Sequence, residues 1–200
     1  MNSIISHVKG LDMPLFFYID DKLNFTTEVI LTPEFLQMNI AEVLNNITGT
    51  GAKIKKTYAV LVAGGGKIRG QERTMLVEGL DRLFMLILTL RSKLGQNLPR
   101  QILSNINLNF RVSWDLKHHN KYTAQGRLEP PDLFGIESFN KGYQYLVLNN
   151  IKELLVKYKE FLADENVDVE KAEALYRGLD DIFYDIMVVR YNVHNLLIDT

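Results

Sequence analysis

The spacing of apolar positions changes several times along the chain, and each change predicts an element. Residues 14–19 (PLFFYI) are aromatic and β-branched and read as a strand. Residues 20–24 (DDKLN) supply turn chemistry, and 25–31 (FTTEVIL) read as the returning strand of a hairpin. Thr32-Pro33-Glu34 then opens a helix, with Thr as N-cap, Pro in the first position and an acid in the first turn. Phe35, Leu36, Ile40, Val43, Leu44 and Ile47 mark its apolar stripe, and Gly49 is expected to close it. Residues 54–63 (IKKTYAVLVA) end in a continuous apolar run, which predicts a buried central strand.

Gly64-Gly65-Gly66 breaks that run, and a long helix is expected over 71–94. Its Leu76, Leu80, Leu83, Ile87, Leu90 and Leu94 recur at spacings of three and four, with Val77, Phe84 and Leu88 widening the stripe. So broad a stripe belongs in the middle of a core, covered from more than one side. A strand is expected over 106–116, and the polar, proline-containing stretch 117–135 reads as a long irregular loop. The last third is helical. One helix is expected over 141–162, and Asp168 caps a second whose apolar positions run from Ala172 to Leu196 without a miss. The short connection makes the two an antiparallel hairpin. Phe183, Met187, Val188, Leu197 and Ile198 lie off that stripe, need a second covering surface, and are candidate interface residues. No repeat is read at a period of 20–50 residues.

Composition narrows the chemistry. The chain has 200 residues, 46% hydrophobic and 24% charged, near the average for a globular protein and long enough for its own core. It has no cysteine, which excludes disulfide scaffolds, thiolate-bound zinc, iron–sulfur clusters and thiol catalysis. No apolar run approaches a membrane span, the first residues show no signal peptide, and a reduced cytoplasmic setting is expected, of a host cell or, if phage-encoded, in a virion.

The net charge of −1 hides three blocks: −4 over 1–48, +10 over 49–128 and −7 over 129–200. The basic middle either meets the acidic third, within a molecule or across subunits, or meets a polyanion. The first is favoured within a compact domain. For the second, Lys53, Lys55, Lys56, Lys67, Arg69 and Arg73 are the candidate anion or nucleic-acid contacts, with Tyr58 or Trp114 available for base stacking.

Other candidates are weaker. The stretch 64–70 (GGGKIRG) between a predicted strand and helix could present amides to a phosphate, but Gln71 and Glu72 stand where a P-loop needs Lys and Ser or Thr. Residues 80–93 resemble the opening helix of chorismate mutases, enzymes whose basic residues converge on a dicarboxylate; ordinary core packing explains the stripe better. Arg190 and His194 resemble the Arg–His pair of HEPN ribonucleases, at a spacing one residue shorter. Asp180, Asp181 and Asp185 could gather a hard cation, but a solvated helix face, with Arg177 neutralising Asp181, is preferred. No metal and no cofactor is expected.

The expected architecture is α+β: a small, mostly antiparallel sheet packed by helices, with a long C-terminal helical hairpin. Residues 1–135 form an α+β core around helix 71–94, and 136–200 form the hairpin on the same core, one domain in all. The expected function is a non-enzymatic structural or assembly protein acting through protein–protein contacts. Its partners are copies of itself or other assembly proteins, and no membrane. The Asn-, Ile- and Lys-rich composition prompts a phage virion or tail component. The alternative is a nucleic-acid-binding accessory protein using the basic block 53–127.

Overall fold

A computed structural model of the chain describes residues 2–7, 14–63, 70–107, 110–118, 120–129 and 150–195. Its elements are β1 (Asn2–His7), β2 (Pro14–Ile19), β3 (Asn24–Ile30), α1 (Pro33–Gln37), α2 (Ile40–Ala63), α3 (Gly70–Asn97), α4 (Arg100–Leu103), β4 (Val112–His118), β5 (Lys121–Arg127), α5 (Ile151–Ala163) and α6 (Val169–Asn195). The strands form one antiparallel sheet in the order β1-β2-β3-β5-β4, so the fold is α+β with a C-terminal helical hairpin. No helix among the described residues is long and apolar enough to cross a membrane.

Local chemistry explains the elements. In the β2–β3 turn, the Asp20 carboxylate accepts the backbone N–H groups of Lys22 and Asn24 at 2.8 and 2.9 Å. Leu23 is held there at φ 65°, a left-handed conformation that a leucine adopts only at a cost. The helix expected to begin at Thr32 breaks at Met38. It restarts because Asn39 and Glu42 form a reciprocal capping box: each side chain accepts the other's backbone N–H, at 2.9 and 2.8 Å. Asp168 caps α6 as expected, its carboxylate accepting the Lys171 N–H at 2.8 Å.

Three expectations are corrected. Residues 54–63 are not a central strand but the second half of α2, which runs through Gly49. Ile54 and Tyr58, one turn apart, are buried while Lys55, Lys56 and Val60 are exposed, which is helical spacing. The expected strand over 106–116 begins only at Val112. The expected loop 117–135 holds β5, a central strand despite its polar composition, because it is hydrogen-bonded on both sides and buries Tyr122, Thr123 and Ala124. Of the helix expected over 141–162, 141–149 lies outside the described residues.

Helix α3 is the axle of the core. From Leu83 to Leu90 every side chain is buried, as a stripe covered on several sides requires.

The arrangement has an internal two-fold logic. Residues 76–94 (LVEGLDRLFMLILTLRSKL) match 175–193 (LYRGLDDIFYDIMVVRYNV), with Leu76, Gly79, Leu80, Asp81, Phe84, Ile87 and Arg91 identical to Leu175, Gly178, Leu179, Asp180, Phe183, Ile186 and Arg190. The match extends upstream. Phe25-Thr26 with Leu31 and Pro33 parallels Tyr122-Thr123 with Leu128 and Pro130, and Ile54, Tyr58 and Ala63 parallel Leu154, Tyr158 and Ala163. So β2-β3-α2-α3 and β4-β5-α5-α6 are two copies of one unit, repeating at about 100 residues, well beyond solenoid periods.

Contacts obey the same symmetry. Strands β3 and β5 pair at the centre with Thr27 opposite Ala124, and β2 and β4 flank them. Leu31 donates its N–H to the Asn120 carbonyl at 2.8 Å, and Leu128 donates to the Leu23 carbonyl at 2.8 Å, reciprocal bonds between corresponding residues. Ile54 faces Gly79 and Leu154 faces Gly178, so in both hairpins a glycine admits an aliphatic side chain from the other helix. The chain is thus a fused pseudo-dimer.

Candidate functional site

The densest chemistry lies between α3 and α6, where the two copies meet. Asp81 of α3 accepts a short hydrogen bond from Arg190 Nη1 of α6. Its counterpart, Asp180 of α6, accepts from Arg91 Nε of α3 at 3.0 Å. Each copy supplies the aspartate of one pair and the arginine of the other, which requires the helices to run antiparallel. Both aspartates are fully buried, and Arg190 is 3% exposed.

An aromatic cluster fills the space between the pairs. Phe84 and Phe183 meet at 4.9 Å between ring centroids, Trp114 and Phe183 at 4.6 Å, and Phe17 and Phe84 at 5.7 Å. The Arg190 guanidinium lies 4.1 Å from the centroid of Phe17 on β2, and that of Arg91 lies 5.0 Å from Trp114 on β4. Phe17 and Trp114 hold corresponding places, so each arginine stacks on the other copy's first strand. One difference between the halves bears on the aspartates: Trp114 Nε1–H donates to Asp180 at 3.1 Å, a bond phenylalanine cannot make.

Burial sets the electrostatics. It pushes the Asp81 carboxyl up to about 7, with Arg190 pulling it back and Glu78 adding to the rise. It pushes Asp180 up to about 6 against the pull of Arg91 and Trp114, and it lowers Arg190. Among the described residues, Asp81 Oδ2, Asp180 Oδ2, and Nε and Nη2 of Arg190 have no hydrogen-bond partner. Half-satisfied buried ion pairs are costly ties, strongly destabilising when one partner is removed. The Asp81–Arg190 pair is closed off from solvent, and the Arg91 side chain of the other pair is 11% exposed.

The candidates from sequence are placed as follows. Lys53, Lys55 and Lys56 are exposed on α2, whereas Arg73 is half-buried near the start of α3. Lys67, Arg69 and most of the glycine-rich stretch lie outside the described residues. Neither stacking candidate presents a free face: Tyr58 is buried, and Trp114 is engaged with Asp180, Arg91 and Phe183.

The interface expectation is corrected for Phe183, Met187 and Val188, which are 1%, 1% and 7% exposed because the rest of the same chain covers them. Leu197 and Ile198 lie outside the described residues. Arg177 does not neutralise Asp181 by contact but pairs with Glu173, at 3.3 Å. Arg190 turns inward to Asp81. Among the described residues no group of three acidic or histidine side chains is placed to hold a metal ion.

Between the charge blocks, Arg91 of the basic middle pairs with Asp180 of the acidic third, Asp81 of the middle pairs with Arg190 of the third in the opposite sense, and Arg82 lies 3.7 Å from Glu34 of the first block. Sequence reading missed Asp81 and Arg91; the available signal was an aspartate and an arginine at the same places in two similar helices. Comparison with known proteins finds no matching family model, no similar curated protein and no similar solved structure.

Proposed function

We propose that this protein is a non-enzymatic structural or assembly component acting through protein–protein contacts as a homo-oligomer. One observation carries the proposal: the same unit is used twice, but its outer surfaces have diverged in charge. Where α2 exposes Lys53, Lys55 and Lys56, α5 has Glu153, Leu155 and Val156, and the lysines that α5 exposes, Lys152, Lys157 and Lys159, stand at other positions among Glu153 and Glu160. The buried polar cluster, meanwhile, is committed to joining the halves. Unlike ends on one rigid body favour head-to-tail contacts, which build rings or filaments. Light scattering behind a sizing column, with absorbance at 260 and 280 nm, tests this at low and high salt. A discrete or growing oligomer free of nucleic acid is expected, and a monomer at all concentrations would refute it.

A second reading, a nucleic-acid-binding accessory protein, is favoured by the exposed triad Lys53, Lys55 and Lys56 on one short stretch of α2. A monomer that carries nucleic acid at low salt and sheds it at high salt would put this reading first.

A further inference from the structure

Resting on the homo-oligomer reading, we infer that the α2–α3 end of one copy docks into the groove between α5 and α6 of a second copy. Three observations converge on this pairing. The first is direction. Helices α3 and α6 are antiparallel, tied by Asp81 to Arg190 and by Arg91 to Asp180. The N-terminal end of α3, which follows α2 in the chain, lies before Asp81, and the N-terminal end of α6, which follows α5, lies before Asp180. The two hairpin ends therefore face opposite sides of the molecule, as a head and a tail must.

The second is shape. Between α5 and α6 lie two adjoining hollows of about 280 and about 320 Å³ that share Lys157, Ala174 and Leu175. Position 174 in the second copy corresponds to Met75 in the first. Where the groove has an alanine, the other end carries a methionine that is 52% exposed, with Val60 on the same half of the hairpin 54% exposed. Both lie on the Ala63 and Gly70 side of the Ile54–Gly79 contact. A projecting, adaptable methionine on one end fits the recess on the other.

The third is charge. The head carries Lys53 and Lys56 on the same stripe of α2 as Val60. The groove is edged by Glu153, Glu160, Asp164 and Asp181; its basic members Lys157 and Lys171 pair with Glu153 at 2.7 Å and Asp164 at 2.6 Å, which leaves Glu160 and Asp181 as the acids in excess. A basic head with Val60 and Met75 exposed, set against a recess with acids in excess at its edge, is complementary in both respects. Because the contact is heterologous, every open assembly keeps one free head at one end and one free groove at the other, and growth continues until a ring closes.

Sedimentation velocity of the full chain at low salt tests the contact. K53E/K56E and E153K/E160K alter exposed sites, and circular dichroism checks that both fold. Each should self-associate at least roughly tenfold more weakly than wild type, and an equimolar mixture should recover association because the reversed charges again oppose. Met75→Asp, a single exposed change, should give the same loss and decides the matter if a double variant misfolds. If wild type associates while the variants associate equally well, this contact is wrong and the homo-oligomer reading stands. If wild type is a monomer throughout, both fall.

Discussion

Phe84 and Phe183 stand edge to face with their ring centroids 4.9 Å apart, and they are the same residue of the two copies. The pseudo-two-fold axis runs through this contact and through the Thr27–Ala124 pair in the sheet. Residues nearest the axis are therefore core for both halves at once. Neither copy owns a complete core: Phe17 of the first and Trp114 of the second both pack on Phe84, at 5.7 and 6.3 Å. The halves should accordingly unfold together, in one transition.

The equivalent glycines offer an internal control. A Cβ on Gly79 would sit 2.7 Å from Ile54 Cγ1, an overlap, whereas a Cβ on Gly178 would meet Leu154 Cδ1 at 3.5 Å, an ordinary contact. Alanine improves a helix interior by about 1 kcal/mol over glycine. Overpacking a buried site costs about 1–3 kcal/mol. G178A should thus stabilise the protein and G79A should destabilise it, as read from urea midpoints. Equal effects from the two would show that the hairpins pack alike.

Much of this fold is legible in the sequence where local pattern and tertiary role agree. The β2–β3 hairpin, the broad stripe of α3 and the Asp168 cap belong to that group. Residues 54–63 mislead because Tyr58, Val60 and Val62 favour strands locally, whereas packing of Ile54 against Gly79 selects a helix. β5 misleads the other way, since a strand stabilised by ladders on both sides needs no strong apolar alternation. The duplicated unit is hidden by its long period. Its trace, Gly-Leu-Asp followed by Phe, Ile and Arg, is spread over a helical turn spacing and interrupted by unlike residues. The buried ion pairs follow from that trace: an aspartate between Leu80 and Leu83 on an apolar helix must find a cation.

Trp114 differs from its counterpart Phe17 by the indole N–H that Asp180 accepts. Trp114→Phe should retain the fold, because phenylalanine already serves in the corresponding place. It should lower stability by about 1.5–3 kcal/mol, the usual worth of a hydrogen bond to a charged group. Trp114 is the sole tryptophan, so circular dichroism in urea is the suitable probe. An unchanged midpoint would contradict the role assigned to the indole.

Acidity should act on the buried carboxyls in an uncommon direction. Asp81 and Asp180 are raised from 3.8 to about 7 and about 6, so in this window the folded chain holds protons that the unfolded chain has released. Their contribution is fully present below about pH 4 and is lost as pH rises through 6 and 7. Between pH 5 and pH 8 the urea midpoint should fall, and D81N/D180N should flatten the slope. A midpoint that rises over this range would show the carboxylates to be stabilised as ions.

The central claim is that the two copies are cross-tied, each long helix anchoring its aspartate on the other's arginine. A double-mutant cycle on Asp81→Leu and Arg190→Met, followed by urea unfolding at pH 8, tests it most directly. Removing either partner alone should cost about 3–5 kcal/mol by leaving a buried charge uncompensated. The double variant should lose clearly less than the two single losses combined. Additive losses, within about 0.5 kcal/mol, would mean that the residues do not act on each other and would contradict the cross-tied account.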